Sequence, residues 1–148
     1  MLLAAATPEA PHWEHPVYEA FLSSRGGPPR QILVGEHAGD LGGFIAGQIT
    51  MDVCEIESIV VAFRHRRTGA GRALLDALIA WALKSGGSRL QLEVRLGNSS
   101  AITFYEQAGF SRDGLRRAYY HNPEEDAVLM SRSIASRIGS RIAPRREP

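Results

Sequence analysis

A chain of 148 residues has the length of one domain, long enough to bury roughly two thirds of its unfolded surface. With 44% hydrophobic and 22% charged residues it has the composition of a globular protein, and a net charge of +1 gives no strong pull on nucleic acid or anionic lipid. The single cysteine, Cys54, excludes an internal disulfide and fits a reducing compartment.

Met1-Leu2-Leu3-Ala4-Ala5-Ala6 lacks the basic start and the apolar length of a signal peptide. The longest apolar run, Ala77 to Leu83, is far short of the ~20 residues that span a bilayer, so a cytoplasmic protein without a membrane partner is expected. Lys84 is the only lysine, and the arginine excess is read as genome composition rather than function.

In chain order, Trp13 to Leu22 has apolar residues at helical spacing, and Ser23 to Pro29 reads as a loop. Gln31–Glu36, Gly43–Met51 and Cys54–Ala62 read as strands, the first two joined by a hairpin turn at Ala38-Gly39-Asp40. A helix over Gly71–Lys84 is apolar nearly all round, predicting deep burial, and Gly86-Gly87 ends it. Arg89–Leu96 alternates, with Leu90, Leu92, Val94 and Leu96 on one face and Gln91, Glu93 and Arg95 on the other. Asn98 caps a helix through Gln107 that Gly109 stops. Phe110–Tyr120 and Ala127–Ser133 close the domain as paired strands around a loop at His121 to Glu125. The expected fold is α/β (α+β): a mixed, mostly antiparallel central sheet with helices on both faces. It occupies residues 1–134 as one domain, and a basic, flexible tail follows over 135–148.

The most chemical segment is Arg66-Arg67-Thr68-Gly69-Ala70-Gly71-Arg72, which lies between the apolar strand ending Ile59-Val60-Val61 and the first turn of a helix. Glycines admit a ligand close to the backbone, and the unpaired N–H groups and dipole of a helix N-terminus favour an anion. A nucleoside-triphosphate loop would need Gly-Lys-Ser/Thr, which is absent. A dinucleotide fold would need a third glycine where Leu74 stands, although Glu93 lies where a ribose-binding acid would. The third reading is coenzyme A.

Arg66-Arg67-Thr68-Gly69-Ala70-Gly71 matches the Arg/Gln-x-x-Gly-x-Gly/Ala signature of the GCN-five-related N-acetyltransferase (GNAT) superfamily. From Ser58 to Met130 the chain resembles its ribosomal-protein-alanine N-acetyltransferase (RimI-like) branch. The resemblance rests on Gly69 to Leu75, Leu92-Glu93-Val94-Arg95-Leu96-Gly97-Asn98, Phe104-Tyr105-Glu106-Gln107-Ala108-Gly109-Phe110, Arg116-Arg117-Ala118-Tyr119-Tyr120 and Asp126 to Met130. It implies the GNAT fold, acetyl-CoA as cosubstrate with no metal, and a protein or peptide N-terminus, such as a ribosomal protein's, as acceptor. Transfer to a lysine side chain or a small amine, and a non-catalytic coenzyme A-binding domain, are the alternatives.

The resemblance assigns Glu93 as the base that deprotonates the amine and Tyr105 as the acid that returns a proton to the coenzyme A sulfur. It assigns the backbone of Ile59, Val60 and Val61, the loop residues Arg66, Arg67, Thr68, Gly69, Ala70, Gly71 and Arg72, and the side chains of Asn98 and Tyr105 to the cofactor. Read without the resemblance, Glu93 is a solvated strand residue, Tyr105 a packing residue, Asn98 a helix cap and Ile59–Val61 a core strand. Tyr119, Tyr120 and Glu124-Glu125-Asp126 either line a groove for a basic peptide or form a solvated hairpin tip. His12, Glu14 and His15 lack the partners of a zinc site, and Cys54 reads as a buried strand residue.

Relatives begin with a strand and a helix before the segment resembling Pro11-His12-Trp13, whereas only twelve residues precede Trp13 here, without a strand pattern. Either the first strand is missing, which leaves the next exposed as an edge, or the start is late. A monomer or weak dimer without direct nucleic-acid contact is expected.

Overall fold

The computed structural model describes residues 27–37 and 39–135. The helix expected over Trp13–Leu22, most of the following loop, His12, Glu14 and His15, and the tail beyond residue 135 lie outside the described residues. So do the expectations about a missing first strand.

The described elements are β1 (Arg30–His37), β2 (Asp40–Thr50), β3 (Val53–Val61), a 3-10 turn (Phe63–His65), α1 (Ala70–Lys84), β4 (Arg89–Arg95), α2 (Ser99–Gln107), β5 (Ser111–Tyr120) and β6 (Glu125–Ser133). They form one six-stranded sheet in the order β1-β2-β3-β4-β6-β5. Every neighbouring pair is antiparallel except β3 and β4, which run parallel. The mixed, mostly antiparallel sheet expected from the sequence is therefore present.

Alternation places Leu90, Leu92 and Val94 of β4 in one core, which also takes Leu74, Leu75 and Leu78 from α1 and Ile102 and Tyr105 from α2. Both described helices thus serve the same face of the sheet. Asn98 caps α2 as expected, its Oδ1 accepting the Ala101 N–H at 3.2 Å. Gly86 and Gly109 take positive φ just past α1 and α2, where a left-handed residue closes the last turn.

One expectation fails. Helix α1 is not deeply buried all round: Leu74, Leu75, Leu78 and Ala82 form its buried stripe, while Leu83 is 45% exposed. The outer face is apolar because Ala73, Ala77 and Ala80 stand there, and alanine is chosen on an exposed helix face for its helix propensity.

Two features of the sheet shape the site. Parallel pairing of β3 with β4 covers only Val53↔Arg89, Cys54↔Leu90 and Glu55↔Gln91, so the two strands separate beyond that point. The β2–β3 register also shifts: Ala46 pairs with Ser58 but Gly47 pairs with Ile56, which leaves Glu57 as an extra residue. Ile56 lies in the core and Ile59 packs against it, so Glu57 and Ser58 together occupy the space of one outward residue and turn to the opposite face.

Candidate active site

Beyond Glu55, β3 keeps β2 on one side and has no pairing with β4 on the other. Ile59, Val60 and Val61 pair with Ile45, Phe44 and Gly43, so their cleft-side backbone edge faces the gap. Gly43 permits this approach: a Cβ there would lie 2.2 Å from the Val60 carbonyl oxygen.

From Val61 the chain passes through the 3-10 turn into the basic loop. Arg67 (φ 59°) and Gly69 (φ 85°) take left-handed conformations, and Thr68 Oγ1 donates to the His65 carbonyl. Arg66 Nε donates to the Val61 carbonyl at 3.4 Å, and its guanidinium lies 5.7 Å from the centre of the Phe63 ring. Ala73 N–H donates to the Gly69 carbonyl at 3.0 Å, so the N–H groups of Ala70, Gly71 and Arg72 have no acceptor within the helix. No acidic residue occupies the first turn and no side chain caps it. Exposed arginines, free N–H groups and the positive end of a 15-residue helix favour an anion here. Arg72 is ion-paired with Asp76 at 3.1 Å, one turn along α1.

Across the gap, Glu93 lies on the face of β4 away from the leucines. Its side chain is 18% exposed, and its Oε1 is 3.2 Å from the Arg116 guanidinium. The nearby Glu93 carboxylate, as a hydrogen-bonding partner for the phenol, and then partial burial raise the Tyr119 pKa above that of an ordinary phenol. Tyr120 is pushed up to about 12 by burial and then by the Glu93 charge. Tyr119 and Tyr120 pack edge to face at 5.0 Å, with Arg116 over the first ring and Arg95 over the second. Glu93 is thus held within a lattice of arginine and tyrosine side chains.

Tyr105 is 5% exposed and packs edge to face on Phe104 and Phe110. Burial, and then the neighbouring Tyr120, raise its pKa, so the phenol keeps its proton across the neutral range. Asn98 has its Oδ1 committed to the α2 cap and to Ser100, which leaves only its NH₂ for another partner.

Of the acidic run, Glu125 accepts the Gly97 N–H at 2.6 Å and lies 3.6 Å from Arg95, while Asp126 accepts the Ala118 N–H at 2.8 Å. Asp126 thus ties β6 to β5 and Glu125 ties it to the end of β4, while Glu124 is exposed. Cys54 is buried, and burial with the nearby Glu55 pushes its thiol up to about 11, which suppresses the reactive thiolate. Among the described residues no group of three or more His, Cys, Asp or Glu side chains could hold a metal ion, and no helix is long and apolar enough to cross a membrane.

Sequence reasoning missed Glu57. It is half-buried at the β3 bulge, where burial and the charges of Glu55 and Glu93 raise its pKa against an opposing effect of Arg30. The available signal was Glu57-Ser58, two consecutive residues outside the core in an otherwise alternating strand.

Residues 2–110 match the Acetyltransferase (GNAT) family. The chain is 38% identical over 99 residues to the [Ribosomal protein bS18]-alanine N-acetyltransferase of Escherichia coli K12, a match covering 66% of this chain and 67% of that one. It is 40% identical over 78 residues to the N-alpha-acetyltransferase RimI of Mycobacterium tuberculosis, covering 53% and 48% of the two chains. The crystal structure of the ribosomal-protein-S18-alanine N-acetyltransferase from Escherichia coli superposes with a TM-score of 0.74 at 31% identity, covering 88% of this chain and 83% of that chain. The opened β3–β4 gap, the anion-ready start of α1 and these likenesses agree: the chain belongs to the acetyltransferase (GNAT) family of acetyl-CoA-dependent N-acetyltransferases.

Proposed function

We propose that this chain acetylates the N-terminal α-amino group of a protein in the cytoplasm, with a ribosomal protein beginning in alanine as the favoured acceptor. The observation that carries the reading is a little-exposed carboxylate, Glu93, at the β3–β4 gap, with the proton-bearing phenol of Tyr105 on the helix that follows. The alanine N-acetyltransferase and N-alpha-acetyltransferase activities of the Escherichia coli and Mycobacterium tuberculosis relatives support the α-amino acceptor.

Arg66, Arg67, Thr68, Gly69, Ala70, Gly71 and Arg72 hold the diphosphate through free N–H groups and guanidinium charge. The gap-side backbone of Ile59, Val60 and Val61 aligns the pantetheine arm and polarises the acyl oxygen. The Asn98 NH₂ adds a donor to the same ligand. Acetyl-CoA, when bound, supplies an activated thioester.

An α-amino group has a pKa near ~8, so at neutral pH most of it is ammonium. Glu93 accepts one of its protons, directly or through a water. The freed nitrogen lone pair forms a bond to the acyl carbon, the carbon–sulfur bond breaks, and the nitrogen sheds its second proton to solvent to leave a neutral amide. Tyr105 donates its proton to the departing sulfur and recovers one from solvent. Burial keeps the proton on the phenol until the thiolate departs.

The test is mass spectrometry after incubation with acetyl-CoA and an alanine-starting peptide that also contains lysine, in forms with either the α-amine or the lysine amine blocked. Acetylation is expected only where the α-amine is free. Transfer confined to lysine overturns the reading, and no transfer to any amine identifies a binding domain.

A further inference from the structure

Glu57 has no role in the mechanism above, yet it lies beside it. Continuing the parallel register from Glu55↔Gln91 by two residues brings Glu57 level with Glu93, on opposite banks of the gap. The β3 bulge turns Glu57 to the face that carries Glu93 and away from the core. Glu57 is half-buried and makes no hydrogen bond or ion pair among the described residues; the charges of Glu55 and Glu93 oppose its own, and the Arg30 charge offsets them only in part. A partly desolvated carboxylate among like charges is unfavourable unless a cation joins it.

A second observation is independent of the acids. Ser58, the next residue and turned to the same face, is 3% exposed, and its Oγ has no hydrogen-bond partner among the described residues. A buried hydroxyl without a partner marks a place where a further polar group belongs. Beside Ser58, Val60, Ala46 and Phe44 are also buried, so the wall there is apolar. The chemistry that satisfies all of these is a small primary ammonium carried on a short apolar side chain.

We propose that Glu57 is the second carboxylate of the acceptor site: it faces Glu93 across the β3–β4 gap and, with Ser58 Oγ, grips the acceptor's α-ammonium group before transfer. The inference rests on the α-amino reading above and gives Glu57 a different task from that of Glu93. Glu57 binds and orients the cation, and Glu93 takes the proton. Selectivity for a free, charged N-terminus then comes from the sheet bulge and not from the peptide chain beyond it.

The test compares an alanine-starting peptide with its desamino analogue, in which a propionyl group replaces the first residue and the charge is lost. Binding of both to the protein with coenzyme A present is measured by calorimetry, and acetylation of the first by steady-state kinetics. Wild-type protein is expected to prefer the charged peptide. Glu57→Gln is expected to raise the acceptor KM about tenfold and to erase most of that preference, with kcat within about twofold. Glu57→Asp, which keeps the charge, is expected to recover most of the preference, and coenzyme A binding is expected to be unchanged in both variants. An unchanged KM and preference in Glu57→Gln overturn the assignment, as does loss of coenzyme A binding, which would mark a structural role. Wild-type protein that acetylates no α-amine overturns the underlying reading, whereas an active wild type with an indifferent Glu57→Gln overturns only this proposal.

Discussion

The Arg116 guanidinium lies 3.2 Å from Glu93 Oε1, so the carboxylate at the gap is paired with a cation of the chain's own. Arg116 comes from β5, at an edge of the described sheet, its side chain is 55% exposed, and its guanidinium lies 5.0 Å from the centre of the Tyr119 ring. An acceptor ammonium must share Glu93 with Arg116 or displace it. A half-exposed ion pair contributes only ~0.2–1 kcal/mol, so the competition is mild. Arg116→Met is therefore expected to lower the acceptor KM by roughly two- to fivefold and to leave Tm within about 4 °C. Steady-state kinetics and a thermal melt check both, and a raised acceptor KM would show that Arg116 assists binding.

Glu93→Gln keeps the shape and removes the base. The kcat is expected to fall by about 10²–10⁴, with the dissociation constant for coenzyme A unchanged. Paired measurements by single-turnover kinetics and calorimetry separate these two effects. Coenzyme A weakened in parallel with kcat would assign Glu93 to the cofactor side.

The division between what the sequence displays and what it conceals follows the range of the interactions. The Asn98 cap, the left-handed Gly86 and Gly109 and the alternation of β4 are set by residues within a few positions of one another, and each is legible in the chain. The loop at Arg66–Arg72 is legible for the same reason. The separation of β3 from β4 is not, because it depends on where pairing between distant strands stops. The Glu57 bulge is concealed in the same way: a strand pattern shows which residues avoid the core, but the shift appears only against Ala46 and Gly47 of β2. Counting apolar letters misjudged α1, since alanine fits its outer face as readily as a core. The Arg116–Glu93 pair joins residues on β5 and β4 that share no local pattern.

Cys54 and Tyr120 are among the buried and half-buried groups, with Tyr105, that lower stability at alkaline pH. Burial raises the Cys54 thiol from 9.0 to about 11 and the Tyr120 phenol from 10.0 to about 12. Both shifts favour the protonated, neutral form in the folded state, so between the unfolded and folded pKa values the native protein binds more protons than the unfolded chain. Their contribution is complete below pH 9.0 and is lost as pH rises, through about 11 for Cys54 and about 12 for Tyr120. Thermal melts across that range are expected to show a falling Tm. Cys54→Ala is expected to flatten the slope in the lower part and Tyr120→Phe in the upper part. The slope is the readout, because each variant also changes packing. Parallel slopes in all three proteins would remove these groups from the alkaline transition.

The two glycines of the loop are expected to respond differently to alanine. At Gly69 a Cβ meets nothing within 4 Å, but its φ of 85° is one that an alanine adopts only under strain of about 1 kcal/mol. At Gly71 the backbone is helical, and a Cβ would lie 3.4 Å from the Phe104 ring, so the helix-propensity gain and the crowding oppose each other. Gly69→Ala is expected to lower Tm and weaken coenzyme A by moving the first N–H groups of α1. Gly71→Ala is expected to stay near wild type in both. Calorimetry with coenzyme A and a melt of each variant distinguish them, and equal losses would show that the loop requires closeness rather than a left-handed turn.

Tyr105 combines packing with proton donation, and two substitutions separate these functions. Its ring lies edge to face between Phe104 and Phe110 at 5.2 and 5.3 Å, inside the core cluster that both helices share. Tyr105→Phe keeps those contacts and removes only the hydroxyl, so Tm is expected to stay close to wild type while kcat falls by about 10²–10⁴. Tyr105→Ala also leaves a cavity and is expected to cost about 3–5 kcal/mol of stability. If the hydroxyl delivers the proton to sulfur, an acyl donor whose leaving thiol has a low pKa needs no such help. Such a donor is expected to restore much of the lost rate to Tyr105→Phe and little to Glu93→Gln, whose missing step is at the amine. Equal responses of the two variants to that donor would remove the acid role from Tyr105 and leave it as a packing residue.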